Sequence, residues 1–260
     1  MPLPSSRTAA PTLGAVRPDD LLSGLPGRMH RGLVARGVQA LMRREMQRAY
    51  RSVQWHGPLP GPATGVPDDR PVVMLANHRS FHDGYLGWLV AERVLRRRLL
   101  VWMRAWDDFP LFSPMGAIPF PDDDASARGR TVRFTARRFA TPGYALLYFP
   151  EGELLTLDTP VRAFDESVLR RLDRLLPEKT WLPLALHATF EGDARPILKI
   201  AAGPPQTAID GHERAAMQAV WDRLRDPDDP PTALLLGGAR SANETWNLRR
   251  TVPFFRRYLS

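Results

Sequence analysis

Cysteine is absent from all 260 residues, which removes disulfides, thiolate metal sites and cysteine nucleophiles from consideration. Lysine is nearly absent: Lys179 and Lys199 are the only two, so almost all positive charge is arginine. No apolar run approaches the roughly 18 residues of a membrane-spanning helix. Met1 to Val16 is Pro- and Ser-rich and holds no apolar leader core. These absences predict a cytoplasmic chain whose contact with the inner face of the cell membrane is peripheral.

What is present is ordinary in bulk and unusual in charge. Hydrophobic residues make up 43% and charged residues 25%, enough for a folded core. The net charge is +8 and the pI near 10.6, which favours an anionic partner such as a lipid surface or a phosphate-bearing substrate. Genomic base bias towards Arg, Ala and Pro produces the same composition. No nucleic-acid recognition motif accompanies the charge, so nucleic acid is not expected as a partner.

Residues 1–27 hold five prolines and three glycines and read as a flexible lead-in. From Met29 to Val53 the spacing of Leu33, Val34, Val38, Leu41, Met42 and Met46 predicts a helix with a basic face. Such a helix either lies in a lipid interface or packs on the domain with its arginines solvated. Trp55 to Asp69 reads as a connector, so residues 28–69 form a helix-and-linker unit. Between 70 and 205, strands alternate with helices. The strands fall at 72–76, 99–103, 144–149 and 181–187, with a hairpin partner at 194–201; helices fall at 81–96, 126–140 and 165–176, and a short helix or turn at 108–115 precedes Gly116 to Phe120. That alternation predicts an α/β fold, a mixed and mostly parallel sheet covered by helices. Residues 206–260 read as a helical extension, with helices near 211–225 and 241–258 flanking a Pro/Asp loop at 226–231.

The chemistry concentrates at two strand ends. Asn77-His78-Arg79-Ser80-Phe81-His82-Asp83 follows the first strand, and Pro150-Glu151-Gly152 follows the strand at 144–149. Polar groups at the carboxyl ends of neighbouring parallel strands share one crevice. Imidazoles titrate near neutrality, about pH 6.5 unperturbed, which suits proton abstraction from an alcohol. Asp83 can orient the His78 ring, and backbone N–H groups at the helix start can hold an anion. Plainer roles stand beside these. Ser80 and Asp83 form a capping box, Asn77 suits a turn, Glu151-Gly152 suits a strand-to-loop turn, and His187 reads as a satisfied strand residue. A metal-dependent hydrolase built on His78, His82 and Asp83 is a rival, although His78 precedes the helix and the helical spacing argument fails for it.

The stretch resembles the N-H-x-S-x-x-D signature of the glycerolipid acyltransferases, the lysophosphatidic acid acyltransferase family. Phe149-Pro150-Glu151-Gly152 resembles that family's F-P-E-G block. Gly116 to Phe120 resembles its G-x-x-F block, and Trp181-Leu182-Pro183-Leu184 its late V-P block. The resemblance covers roughly residues 70 to 205. It implies acyl transfer from acyl-CoA or acyl carrier protein to a lipid hydroxyl, with no metal or resident cofactor. His78 would be the general base and Asp83 its orienter. Asn77, Arg79, Ser80, Gly116, Phe120, Pro150, Glu151, Gly152 and Arg162 would form the substrate site. It also inclines the basic helix towards membrane docking. Two family arginines are missing from their places, because Phe120 is followed by Pro121 and three aspartates and Gly152 by Glu153. Arg79, Arg104, Arg128, Arg130 or Arg162 would have to substitute. The acceptor stays open among lysophosphatidic acid, an uncharged or zwitterionic lysolipid, a glycolipid and another lipid alcohol. A non-catalytic lipid-binding protein on the same scaffold is the third reading.

Overall fold

The apolar run Val72–Ala76 is a strand with all five residues buried, because both faces of the sheet are covered there. The computed structural model describes residues 32–176 and 178–238. In chain order these hold α1 (Leu33–Ala49), β1 (Ser52–His56), β2 (Val72–Ala76), α2 (Asp83–Arg93), β3 (Arg98–Met103), β4 (Ala117–Pro119), α3 (Ala125–Phe139), β5 (Tyr144–Tyr148), α4 (Glu166–Leu175), β6 (Thr180–Thr189), β7 (Ile197–Ala202), α5 (Glu213–Leu224) and β8 (Pro231–Gly237). Short 3-10 turns at Trp106–Asp108 and Pro110–Met115 separate β3 from β4.

The strands form one sheet in the order β4-β3-β5-β2-β6-β7-β1-β8. The first five run parallel. β7 turns antiparallel to β6, β1 runs parallel to β7, and β8 closes the edge antiparallel to β1. The mixed, mostly parallel α/β architecture is the one the alternation predicts, and β2 and β5 are parallel neighbours as the crevice argument requires. Strand alternation sorts the core into two layers. Val72, Met74 and Ala76 face Met42 and Met46 of α1 and Leu86 and Leu89 of α2. Val73 and Leu75 belong to the opposite layer, with Phe134 of α3, Leu172 of α4 and Trp221 of α5.

Three expectations change. The first helix stops at Ala49, since Tyr50 takes an extended conformation, and Ser52–His56 becomes a strand between β7 and β8. Trp55, assigned to a connector, is therefore fully buried in that strand. Residues 231–237 are a strand too, so the region after 206 is not wholly helical. Ladder pairing of β1 with β7 on one side and β8 on the other selects strand geometry where the local pattern is weak. The flexible lead-in and the helix near 241–258 lie outside the described residues. Among those described, no helix is long and apolar enough to cross a membrane.

Candidate active site

β2 delivers Asn77 and His78 past its last ladder residue, Ala76. The Asn77 side chain continues the pairing with β6: its amide donates to the Leu186 carbonyl at 2.9 Å, and its carbonyl accepts from the Leu186 N–H at 2.7 Å. Asn77 is fully buried, so it positions the next residue and touches no solvent. The turn that follows folds around one carboxylate. Asp83 Oδ2 accepts from the N–H of Arg79 at 2.5 Å and of Ser80 at 2.8 Å, and Oδ1 accepts from Ser80 Oγ at 2.9 Å. His78 Nδ1 donates to the same Oδ2 at 2.9 Å. With the proton on Nδ1, Nε2 keeps its lone pair, which is the tautomer a general base needs.

Asp83 thus binds Ser80 and orients the histidine at the same time, but the two do not form the expected capping box at the start of α2. Ser80 sits ahead of the helix, and His82 takes the N-cap position of α2. The amides of Arg79 and Ser80, which precede the helix, are occupied by Asp83 itself. His82 turns the other way, with Nδ1 3.0 Å from Tyr50 Oη. Among the described residues, no three His, Asp or Glu side chains converge on one point.

β5 delivers the second strand end. Phe149 stacks on the His78 ring at 4.2 Å between centroids and 16° between planes. Pro150, next in the chain, is buried. The Glu151 side chain is wholly buried, and both carboxylate oxygens are hydrogen-bonded. Oε2 accepts from His78 N at 3.0 Å and Arg79 Nη1 at 2.6 Å; Oε1 accepts from Arg79 Nη2 and Arg162 N, each at 2.9 Å. This bidentate pair ties the end of β5 to the end of β2. Gly152 then reverses the chain at a φ of 75°, a conformation that favours glycine. Leu155 N–H closes the loop by donating to the His78 carbonyl at 3.0 Å.

The dyad opens on a cavity of about 450 Å³, within the range of small-molecule sites. Its walls are apolar: Met42 from α1, Tyr85 and Trp88 from α2, Leu99 and Val101 from β3, and Phe109, Phe112 and Met115 from the 3-10 turns. His78, Arg104, Asp122 and Glu153 supply charged or titratable groups to the lining, with Gly152 and Leu154 beside them. Phe120 stacks on Trp102 at 4.6 Å and borders the same space. Tyr148, another titratable group in the wall, is pushed up to about 12 by burial and then by Asp165, so it stays a neutral phenol.

Of the residues singled out from sequence, Asn77, His78, Arg79, Ser80, Asp83, Pro150 and Glu151 meet in one cluster, and Phe120 and Gly152 border the cavity. Gly116 ends the Pro110–Met115 turn outside the lining, and Arg162 reaches the cluster only through its backbone N–H, its side chain pairing with Glu153. The apolar wall went unread, although Phe81/Tyr85 and Phe109/Phe112 stand at helical spacings that signal a shared face.

Residues 62–180 match the family described as Acyltransferase. No curated protein matches the chain. Among solved structures, the 1-acyl-sn-glycerophosphate (LPA) acyltransferase PlsC from Thermotoga maritima is similar over 72% of this chain and 77% of that one, at 15% identity and a TM-score of 0.47. The segment similar to the acyltransferase family begins ten residues before β2 and ends at the start of β6, so His78, Asp83 and Glu151 all fall inside it.

Proposed function

We propose that the protein moves a fatty acyl group from the thioester of acyl-CoA or acyl carrier protein to the hydroxyl of a lipid. The observation that carries this reading is a His–Asp dyad opening directly on an apolar cavity of about 450 Å³. Such a wall suits an acyl chain, whose burial contributes roughly 0.8 kcal/mol per methylene. The acceptor hydroxyl gives its proton to His78 Nε2 as its oxygen attacks the thioester carbonyl. The tetrahedral intermediate collapses with cleavage of the C–S bond, and the departing thiolate takes the proton back from the imidazolium. Asp83 stabilises that imidazolium and holds the ring in register. Phe149 limits ring rotation from one side. Transfer is direct, with no acyl-enzyme and no metal in the step.

The outer side of the molecule supports access from a lipid surface. Leu33, Val34 and Leu41 of α1 are 85%, 64% and 57% exposed, beside the exposed Arg36, Arg44 and Arg48. Phe81, Leu111 and Leu154 are more than half exposed near the cavity. Meanwhile Val38, Met42 and Met46 are buried, so α1 packs on the domain through one face and offers lipid the other.

The test is transfer of a labelled acyl group from acyl-CoA and from acyl carrier protein to a panel of lipid alcohols. His78→Ala should lower kcat by about 10²–10⁴-fold, the usual contribution of general-base catalysis, with folding intact. Retention of wild-type turnover would remove His78 from the role. Vesicle binding that persists in His78→Ala, with no turnover by wild type from either donor, would instead favour a lipid-binding protein.

A further inference from the structure

Resting on the acyl-transfer reading, we infer that the acceptor bears a head group with no net negative charge beside its reacting hydroxyl: a neutral polyol, or a phosphate balanced by an ammonium. A phosphomonoester dianion is the wrong ligand for this rim. Three charged side chains besides the dyad line the cavity, two carboxylates, Asp122 and Glu153, and one guanidinium, Arg104. Arg104 is already engaged: its Nε lies 2.9 Å from Asp122 Oδ2, and Nη2 donates to the Gly152 carbonyl at 2.6 Å. Arg162 binds Glu153, and Arg79 is buried in its bidentate pair with Glu151. Arg128 turns its Nη1 to the carbonyls of Pro121 and Asp122. The arginines that border the strand ends therefore serve protein acceptors.

The acidic turn is also built in place. Phe120 N–H donates to the Met103 carbonyl at 3.0 Å, Thr131 Oγ1 to the Pro119 carbonyl at 2.6 Å, and Asp124 Oδ1 caps α3 by accepting from Ala127 N at 2.8 Å. A dianion entering here would have to draw Arg104 or Arg162 off its carboxylate and leave that carboxylate facing the phosphate. Hydroxyl or ammonium donors would instead find Asp122 and Glu153 as ready acceptors, both exposed at the mouth. The stacked Phe120–Trp102 pair gives the same mouth a rigid apolar floor.

The experiment measures initial rates with one labelled acyl donor and three acceptors in mixed vesicles: a monoacylglycerol, lysophosphatidylethanolamine and lysophosphatidic acid. Wild type should favour the better of the first two over lysophosphatidic acid by at least about tenfold in kcat/KM, since like charges brought together at a binding surface are costly. The double variant Asp122→Asn/Glu153→Gln should narrow that ratio by about threefold or more as its rim gains positive charge. Both side chains are exposed, so the variant is expected to fold, and its thermal melt checks this. The ranking of the neutral against the zwitterionic acceptor assigns the head group, and either order upholds the inference. A wild-type preference for lysophosphatidic acid, or a ratio unmoved in the double variant, overturns it while leaving acyl transfer in place. No transfer to any acceptor overturns the acyl-transfer reading and this inference together.

Discussion

Glu151 shows how one buried carboxylate can fix the end of a neighbouring strand. Its side chain is fully buried, it accepts four hydrogen bonds, and one of its donors is the backbone N–H of His78. It fixes where β2 ends relative to β5, and so where the imidazole stands. Removing one partner of a buried, fully bonded ion pair leaves the other charge uncompensated, at a cost of about 3–5 kcal/mol. Glu151→Ala should therefore unfold at clearly lower urea concentration than wild type, in addition to losing turnover. An unchanged urea midpoint with an elevated acceptor KM would instead give Glu151 a direct contact with substrate. Arg79 and Asn77 belong to the same class of positioning residue, one through its guanidinium and the other through an amide that imitates a strand partner. Sequence alone shows these residue types at a strand end. It does not show that Arg79 meets Glu151, because the β2–β5 adjacency that joins them is a property of the sheet.

At the scale of elements, α2 sets the dyad's geometry, since Asp83 is its first residue. The helix approaches the sheet closely at Gly87, where an added Cβ would stand 2.4 Å from Leu147 Cδ2. Alanine ordinarily stabilises a helix interior relative to glycine by about 1 kcal/mol. Here the overpacking, worth about 1–3 kcal/mol, should outweigh that gain. Gly87→Ala should thus lower stability in urea unfolding and reduce kcat by displacing the Asp83 end of α2; a more stable, fully active variant would show that the contact is slack. The elements also show where sequence reasoning succeeds. β2, β3, β5 and β6 are short, continuous apolar runs bounded by Pro, Gly or charge, and their burial on both faces makes them legible. β1 is different: Gln54 and His56 interrupt its apolar positions, and it follows a helical pattern with no Gly or Pro between. β8 begins on Pro231 beside a Pro/Asp loop, and it is an edge strand whose partner lies far away in sequence. Both strands owe their state to tertiary pairing. The cavity wall was hidden for a related reason, since α1, β3 and the 3-10 turns meet there only in the folded chain.

Across the described residues, three histidines outside the dyad, His56 buried and His82 and His187 half-buried, share one electrostatic condition. His56 ends β1 with Nδ1 3.1 Å from Asp229 and Nε2 buried without a partner. His82 stands at the N-cap position of α2 with Nδ1 3.0 Å from Tyr50 Oη. His187, expected to be a satisfied strand residue, has an unpartnered Nδ1 and stands edge-on to Trp221. Burial is the largest influence on each, and it lowers all three below the ordinary imidazole value. Asp229 opposes it at His56 and Lys199 reinforces it; Glu45 and Asp83 oppose it at His82. Arg225 and Lys199 reinforce it at His187, where Asp158 opposes. In the unfolded chain these rings take up protons near pH 6.5; in the folded protein they do so only at lower pH. Between those values the unfolded state binds more protons. The stability they contribute is complete above about pH 6.5 and is lost as pH falls below it, by up to about 1.4 kcal/mol per pH unit for each histidine. Thermal melts should accordingly be flat from pH 8 to 7 and fall between pH 6.5 and 5, above the range where ordinary carboxylates titrate. His56→Asn, whose amide can still donate to Asp229 without gaining a charge, should make that fall shallower. A slope unchanged by the substitution would place the acid sensitivity elsewhere, and a melting temperature that rises on acidification would mean that the Asp229 attraction outweighs burial at His56.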